Sequence, residues 1–240
     1  MATLILARHG RTSANTEGVL AGRSKGVHLD ELGRGQADAA AVRLAEVPLA
    51  AVVSSPLERC RETAGAIVRA QAKPGGHPVR LHNDRGLVEC DYGEWTGQPL
   101  KTLAKEPLWR TVQVHPAGAA FPGGESMAAV AARALAAVRR WNALLDKEHG
   151  ADAVWVAVSH GDVIKAILAD ALGMHLDSFQ RIVVDPASLS VVRYTQNRPF
   201  VLTTNSSGGS LAHLRRPKQK RSRRRTGDAE VGGGAGPATA

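Results

Sequence analysis

Three short stretches of this 240-residue chain carry the residue types that bind compact oxyanions. The first is Arg8-His9-Gly10. The second is Ser54-Ser55-Pro56, with Arg59 three residues further on. The third is Ser159-His160-Gly161-Asp162. Arginine offers a permanent cation in a planar fork that matches phosphate oxygens, and histidine offers a ring that donates or accepts near neutral pH. Each stretch follows an apolar run of strand length: Thr3 to Ala7, Ala51 to Val53, and Ala153 to Val158. In open α/β sheets ligands bind beyond the carboxyl ends of the strands, and helices that begin there favour anions at their N-termini. Two histidines and two arginines are therefore expected at one crevice, suited to phosphate or another compact oxyanion.

The elements that must position them alternate along the chain. A helix is expected from about Gly33 to Glu46. Ser55-Pro56 reads as an N-cap and first helical residue, opening a helix that runs to about Ala72. Val79 to His82 is a third strand. Met127, Val130, Ala134, Val138, Trp141 and Leu145 recur at helical spacing, which gives a long helix ending before Gly150. The run Ala153 to Val158 is apolar throughout, as a parallel strand buried on both faces should be. The helix after it turns Val163, Ile164, Ile167, Leu168 and Leu172 inward and ends at Gly173. Ser188 to Tyr194 and Phe200 to Thr203 close the series. Such alternation predicts an α/β fold, a mostly parallel central sheet with helices on both faces.

Composition agrees with a globular protein, 43% hydrophobic and 22% charged, and no apolar run approaches membrane-spanning length. The start of the chain does not read as a signal peptide, so the expected compartment is the cytoplasm, with Cys60 and Cys90 as free thiols. The net charge of +9 is unevenly distributed. Eight basic residues lie between Arg215 and Arg225, followed by Asp228 and Glu230, so the folded part is only mildly basic. From Asn205 onward large apolar groups are too few to offset ordering entropy, and a disordered basic tail is expected over 205–240, leaving 1–204 as the domain.

Taken together, the motifs resemble a known family. Arg8-His9-Gly10 with Asn15 beyond it, Ser54-Ser55-Pro56-Leu57-Glu58-Arg59, the segment Leu87 to Gly97, Gly123-Gly124-Glu125-Ser126 and Ser159-His160-Gly161 stand in the order of the histidine phosphatase superfamily. The likeness is to its phosphoglycerate-mutase-like branch, in which a small cap insertion covers the sheet. The resemblance implies that His9 is a nucleophile forming a phosphohistidine. It further implies that Arg8 and Arg59 clamp the phosphoryl oxygens, that His160 stabilises their charge, and that Asn15 adds a phosphate contact. Glu89 matches the proton donor. The chemistry agrees, because phosphoryl transfer needs chiefly positioning and charge neutralisation, and a leaving alkoxide needs a proton.

Other residues keep two readings. Asn15 either contacts phosphate or only shapes a turn. Asp91 and Glu94 compete with Glu89 as the acid. Glu125 is expected merely to stabilise a helix start. Arg11 and Arg23 are candidate substrate contacts and equally candidate surface arginines; Gly161 is a candidate backbone contact. Cys60 and Cys90 are expected to serve packing, and the other histidines to be ordinary polar residues. The segment from Gln98 to Pro122 lacks the paired arginines and proline run of the family's cofactor-dependent mutases, with Trp109 and His115 available to line a pocket. Hydrolysis of a small phosphomonoester is thus the expected activity, with a phosphomutase as the alternative. No metal and no cofactor are called for. Expected partners are a small phosphorylated metabolite and no membrane. The tail adds a non-specific polyanion contact, which is also the basis of a non-enzymatic alternative, and a homodimer is an open option.

Overall fold

The computed structural model describes residues 2–72 and 77–208. Six strands form one sheet: β1 (Thr3–Arg8), β2 (Ala51–Ser54), β3 (Leu81–Asn83), β4 (Val154–Ser159), β5 (Leu189–Tyr194) and β6 (Pro199–Ser206). Their spatial order is β3-β2-β4-β1-β5-β6. The first four run parallel, β5 pairs antiparallel with β1, and β6 pairs antiparallel with β5. The sheet is mostly parallel, as expected.

The helices are α1 (Ser13–Glu17), α2 (Glu31–Leu44), α3 (Glu58–Gln71), α4 (Leu100–Leu103), α5 (Pro107–Val114), α6 (Met127–His149) and α7 (Gly161–Ala171). Side chains alternate faces along a strand, so an apolar run feeds two cores. In β1, Leu4 and Leu6 join Trp155 and Ala157 of β4 in the core under α6 and α7. Ile5 and Ala7 join Val156 and Val158 in the core under α2 and α3. Helices therefore cover both faces. The small helices α4 and α5 pack Leu103, Trp109 and Val112 against the α6–α7 side and form the cap.

Several local readings change. Leu57 caps α3, so Ser55-Pro56 is a turn before the helix; the Ser55 hydroxyl goes elsewhere, as described below. The third strand begins two residues late, at Leu81, because its pairing starts opposite Val52. Leu172 is 48% exposed, lying past the last turn of α7 where the buried face has already turned away. Helix α1 escaped notice: Thr12 and Asn15 form a reciprocal capping box with Asn in place of the usual acid. Strand β6 runs on through Asn205, which bonds Asp185 and the Ser190 hydroxyl, to Ser206, which Arg43 holds. The sheet thus ends two residues beyond Thr204. The basic run and the Gly- and Ala-rich end lie outside the described residues. Among the described residues no helix is long and apolar enough to cross a membrane.

Candidate active site

Strand register builds the site. Arg8 pairs with Ser159 at the ends of adjacent parallel strands β1 and β4, so the next residues, His9 and His160, emerge side by side. Their ring centroids are 5.3 Å apart. The His9 amide donates to the Ser159 carbonyl at 3.0 Å. Next along the sheet, Ser54 pairs with Val158, which sets the Ser55 hydroxyl 2.8 Å from His160 Nε2.

His9 is buried, and its Nδ1 donates to the Gly10 carbonyl at 2.7 Å. A carbonyl can only accept, so in the neutral ring the lone pair is left on Nε2. Burial, then the charges of Arg59 and Arg8, hold the pKa of His9 well below that of free imidazole. Gly10 has no room for a side chain: a Cβ there would lie 2.3 Å from the Gly33 carbonyl in α2. The loop is secured from the other side by the Gly10 amide, which donates to Thr63 Oγ1 at 3.1 Å. Thr63 stands one helical turn after Arg59 and donates to its carbonyl.

Arg59, in the first turn of α3, is buried and donates through Nη2 to the Gly22 carbonyl at 2.7 Å. Its Nη1 is buried without a hydrogen-bond partner among the described residues, a donor well suited to an incoming anion. Arg8 is fully buried and donates to the Val184 carbonyl at 2.8 Å. Its charge reaches both histidines. His160 caps α7, and burial, Arg59, His9 and Arg8 push its pKa far down. In the free protein the positive charge of the site therefore comes from the guanidiniums, and the depressed pKa of His160 favours a neutral ring. Gly161, the first residue of α7, is buried beside it.

Glu89 is buried, its Oε2 3.9 Å from His160 Nδ1 and its Oε1 accepting from the Cys90 amide at 2.9 Å. Burial and the neighbouring Asp162 carboxylate push its pKa up to about 7, which leaves it able to carry a proton at neutral pH. Asp162 is held by the Tyr92 hydroxyl at 2.7 Å and by Lys165 at 3.8 Å. The competing acids are otherwise placed: Asp91 Oδ2 receives Arg23, and Glu94 is exposed.

A cleft with about 430 Å³ of empty space, its open mouth included, is lined by His9, Asn15, Arg59, Glu89 and Tyr92, with apolar or backbone surface from residues 18–22 and Leu100. Asn15 thus lines the cleft while its Oδ1 holds the α1 cap, accepting from Thr12. Arg11 and Arg23 are not in the lining. Arg11 pairs with Asp30 at 2.7 Å, and Arg23 with Asp91 and Glu125. Trp109 packs on Trp95 and His115 pairs with Asp177, so neither lines the cleft, and the cap contributes Leu100 instead. Glu125 stands just before Ser126, the N-cap of α6, and pairs there with Arg23 and Arg133. Both cysteines are free and buried; burial pushes the Cys60 thiol to about 12, and its sulfur lies 3.4 Å from His160 Nε2. No group of three or more His, Cys, Asp or Glu among the described residues is arranged to hold a metal ion.

Sequence reasoning gave no site role to Ser55, Thr63, Tyr92 or Asp162, nor to Arg133, which donates to the Gly86, Val88 and Glu89 carbonyls. Ser55 and Asp162 stood inside the motifs, and Thr63 is four residues from Arg59 on the same helical face, a spacing that could have exposed it. Tyr92 lay in the Leu87 to Gly97 segment with no role attached, and Arg133 sits in no motif.

Comparison with known proteins agrees with this geometry. The pattern of the Histidine phosphatase superfamily (branch 1) matches residues 4–207. Phosphoserine phosphatase 1 of Hydrogenobacter thermophilus is 31% identical over 211 residues, covering 85% of this chain and 92% of that protein. A probable phosphoglycerate mutase of Yersinia pestis (strain Pestoides F) is 31% identical over 223 residues, covering 90% and 97%. The solved structure of mycobacterial glucosyl-3-phosphoglycerate phosphatase matches with a TM-score of 0.74 at 27% identity, covering 85% of this chain and 98% of that one. With the family pattern matching residues 4–207 and the fold matching that of a solved phosphatase, the chain belongs to the histidine phosphatase superfamily, branch 1, and is an enzyme of that class.

Proposed function

We propose that the protein hydrolyses small phosphomonoesters through a phosphohistidine on His9, with Glu89 as proton donor. The observation that carries this reading is the placement in one cleft of His9, its lone pair left on Nε2 by the Gly10 carbonyl, and of buried Glu89, whose pKa is raised to about 7 by burial and by Asp162. Arg59 Nη1 and the Arg8 charge neutralise the phosphoryl oxygens, and His160, fixed by Ser55, donates to them. Nε2 attacks phosphorus, the P–O ester bond breaks, and Glu89 gives its proton to the departing alcohol oxygen. Water then attacks the phosphohistidine, Glu89 takes back a proton, and inorganic phosphate leaves with His9 restored. Asn15 steadies the bound phosphoryl group, while Arg11 and Arg23 serve the scaffold. We place the enzyme in the reducing cytoplasm, where Cys60 and Cys90 keep their thiols.

Transfer to a second substrate hydroxyl would use the same intermediate, and the relative named as a mutase makes that the second reading. Hydrolysis is favoured because the cap brings only Leu100 to the lining, with no arginine to hold an acceptor there. With a phosphoglycerate as substrate, free phosphate should form faster than the isomeric phosphoglycerate. Isomer formation that outran phosphate release would assign the mutase reaction. A rapid quench should trap phosphate on His9 as an acid-labile P–N adduct, and His9→Ala should lose essentially all turnover.

A further inference from the structure

Residues 88–92, which include Glu89, lie between two single 3-10 turns, Arg85–Leu87 and Gly93–Trp95, and belong to no helix or strand. Buried backbone groups without a ladder must still find partners. Here they find side chains from two distant segments. Arg133, in the second turn of α6, donates through Nη1 to the Gly86 and Val88 carbonyls at 2.9 and 2.7 Å, and through Nη2 to the Glu89 carbonyl at 3.1 Å. Arg23, from the loop after α1, donates through Nε to the same Glu89 carbonyl at 3.0 Å.

Two guanidiniums converging on one carbonyl would repel each other. Glu125 stands with both: it takes Arg133 in a two-pronged pair, 2.9 Å on each oxygen, and receives Arg23 Nη2 at 2.7 Å. Its Oε2 also accepts from the Asp91 amide at 3.1 Å, and its own amide donates to the Asp91 carbonyl at 2.8 Å. The backbones approach closely beside this pair: a Cβ on Gly124 would lie 2.2 Å from the Asp91 carbonyl. Thus the loop bearing Glu89 is held on both sides of that residue, at 86, 88, 89 and 91, by one acid and two arginines from elsewhere in the chain.

We propose that Arg133, Arg23 and Glu125 act as one positioning unit that sets the place of Glu89 for proton transfer; this rests on the reading of Glu89 as the proton donor. None of the three lines the cleft, and their hydrogen bonds go to one another and to the backbone around Glu89, so they act through that residue. The unit also explains why an acid stands at 125 when Ser126 already caps α6.

The test is a double-mutant cycle in the full-length chain. Arg133→Met and Glu125→Gln should each lower turnover of an alkyl phosphate about 10- to 100-fold, since misplacement of about an ångström costs that much. The pre-steady-state burst with p-nitrophenyl phosphate, whose leaving group needs little protonation, should fall much less. In a Glu89→Gln background the same substitutions should cost under about threefold, because they act through a group already removed. Arg133→Lys keeps the charge but not the fork, and should fall between wild type and Arg133→Met. Thermal unfolding of each variant controls for loss of fold, and the lysine variant carries the cycle if the methionine variant does not fold. Equal losses for both leaving groups, or additive losses in the Glu89→Gln background, would overturn the proposal. If Glu89→Gln itself lost equally with both leaving groups, it is the assignment of the proton donor that would fail.

Discussion

At the scale of single residues, the site depends on two groups held in unusual protonation states by the same burial. Burial removes charge from an imidazole and from a carboxylate alike, so it lowers the pKa of His9 and raises that of Glu89, the directions that the proposed nucleophile and proposed acid require. The pH dependence follows with a definite sign. Glu89 must hold its proton to release an alkoxide, so kcat/KM for an alkyl phosphate should fall as pH rises through about 7. The acid limb, where His9 takes up a proton, should lie well below the pH at which free imidazole titrates. Glu89→Gln should abolish the alkaline limb and slow alkyl phosphate cleavage by about 10² to 10⁴. An alkaline limb that survived this substitution unchanged would move the acid to another residue.

At the scale of elements, the nucleophile loop is seated on α2 by backbone contact with no side chain between. A Cβ on Gly33 would lie 1.9 Å from the Arg11 carbonyl, whereas one on Gly35, two residues along the same helix, would meet nothing within 4 Å. The pair makes a controlled comparison. Gly33→Ala must push the loop that carries His9, and should cost about 1–3 kcal/mol of stability. Its turnover should fall as well, by about tenfold or more, because the displaced group is the proposed nucleophile. Gly35→Ala should leave turnover unchanged and raise stability by up to about 1 kcal/mol through helix propensity. Urea melts and steady-state rates on the two variants check both expectations; matched behaviour would mean the loop does not depend on this contact.

For the molecule as a whole, the sheet order brings the ends of β1 and β4 together at its centre, with β2 beside β4, so three separate stretches of chain reach one cleft. The six strands end at Ser206, and the basic run from Arg215 to Arg225 follows beyond the described residues. Since no part of the catalytic arrangement above draws on it, deleting 209–240 should leave turnover of a small substrate within about twofold. Any affinity of the intact chain for DNA or RNA should go with the deletion and should weaken steeply with salt, as phosphate contacts do. Loss of turnover on deletion would place part of that segment at the cleft.

Read alone, the amino-acid sequence determined much of this. Parallel strands buried on both faces read as unbroken apolar runs, so Thr3 to Ala7 and Ala153 to Val158 were legible, and so were the motif residues at their ends. His9, Arg59, His160 and Glu89 were named from motif order, because those residues sit where local sequence places them, just past an element or at its first turn. What only the tertiary structure decided is how distant segments meet. The register of β1 against β4 set His9 beside His160. For Arg11 and Arg23 the sequence leaves substrate contact and surface arginine equally open; Asp30, Asp91 and Glu125 pair with them only in the folded chain, and no local pattern encodes a partner as far along as 102 residues. Glu89 was readable as a candidate acid; its raised pKa was not, because that comes from burial and from Asp162 on α7, and desolvation exists only once the chain is packed.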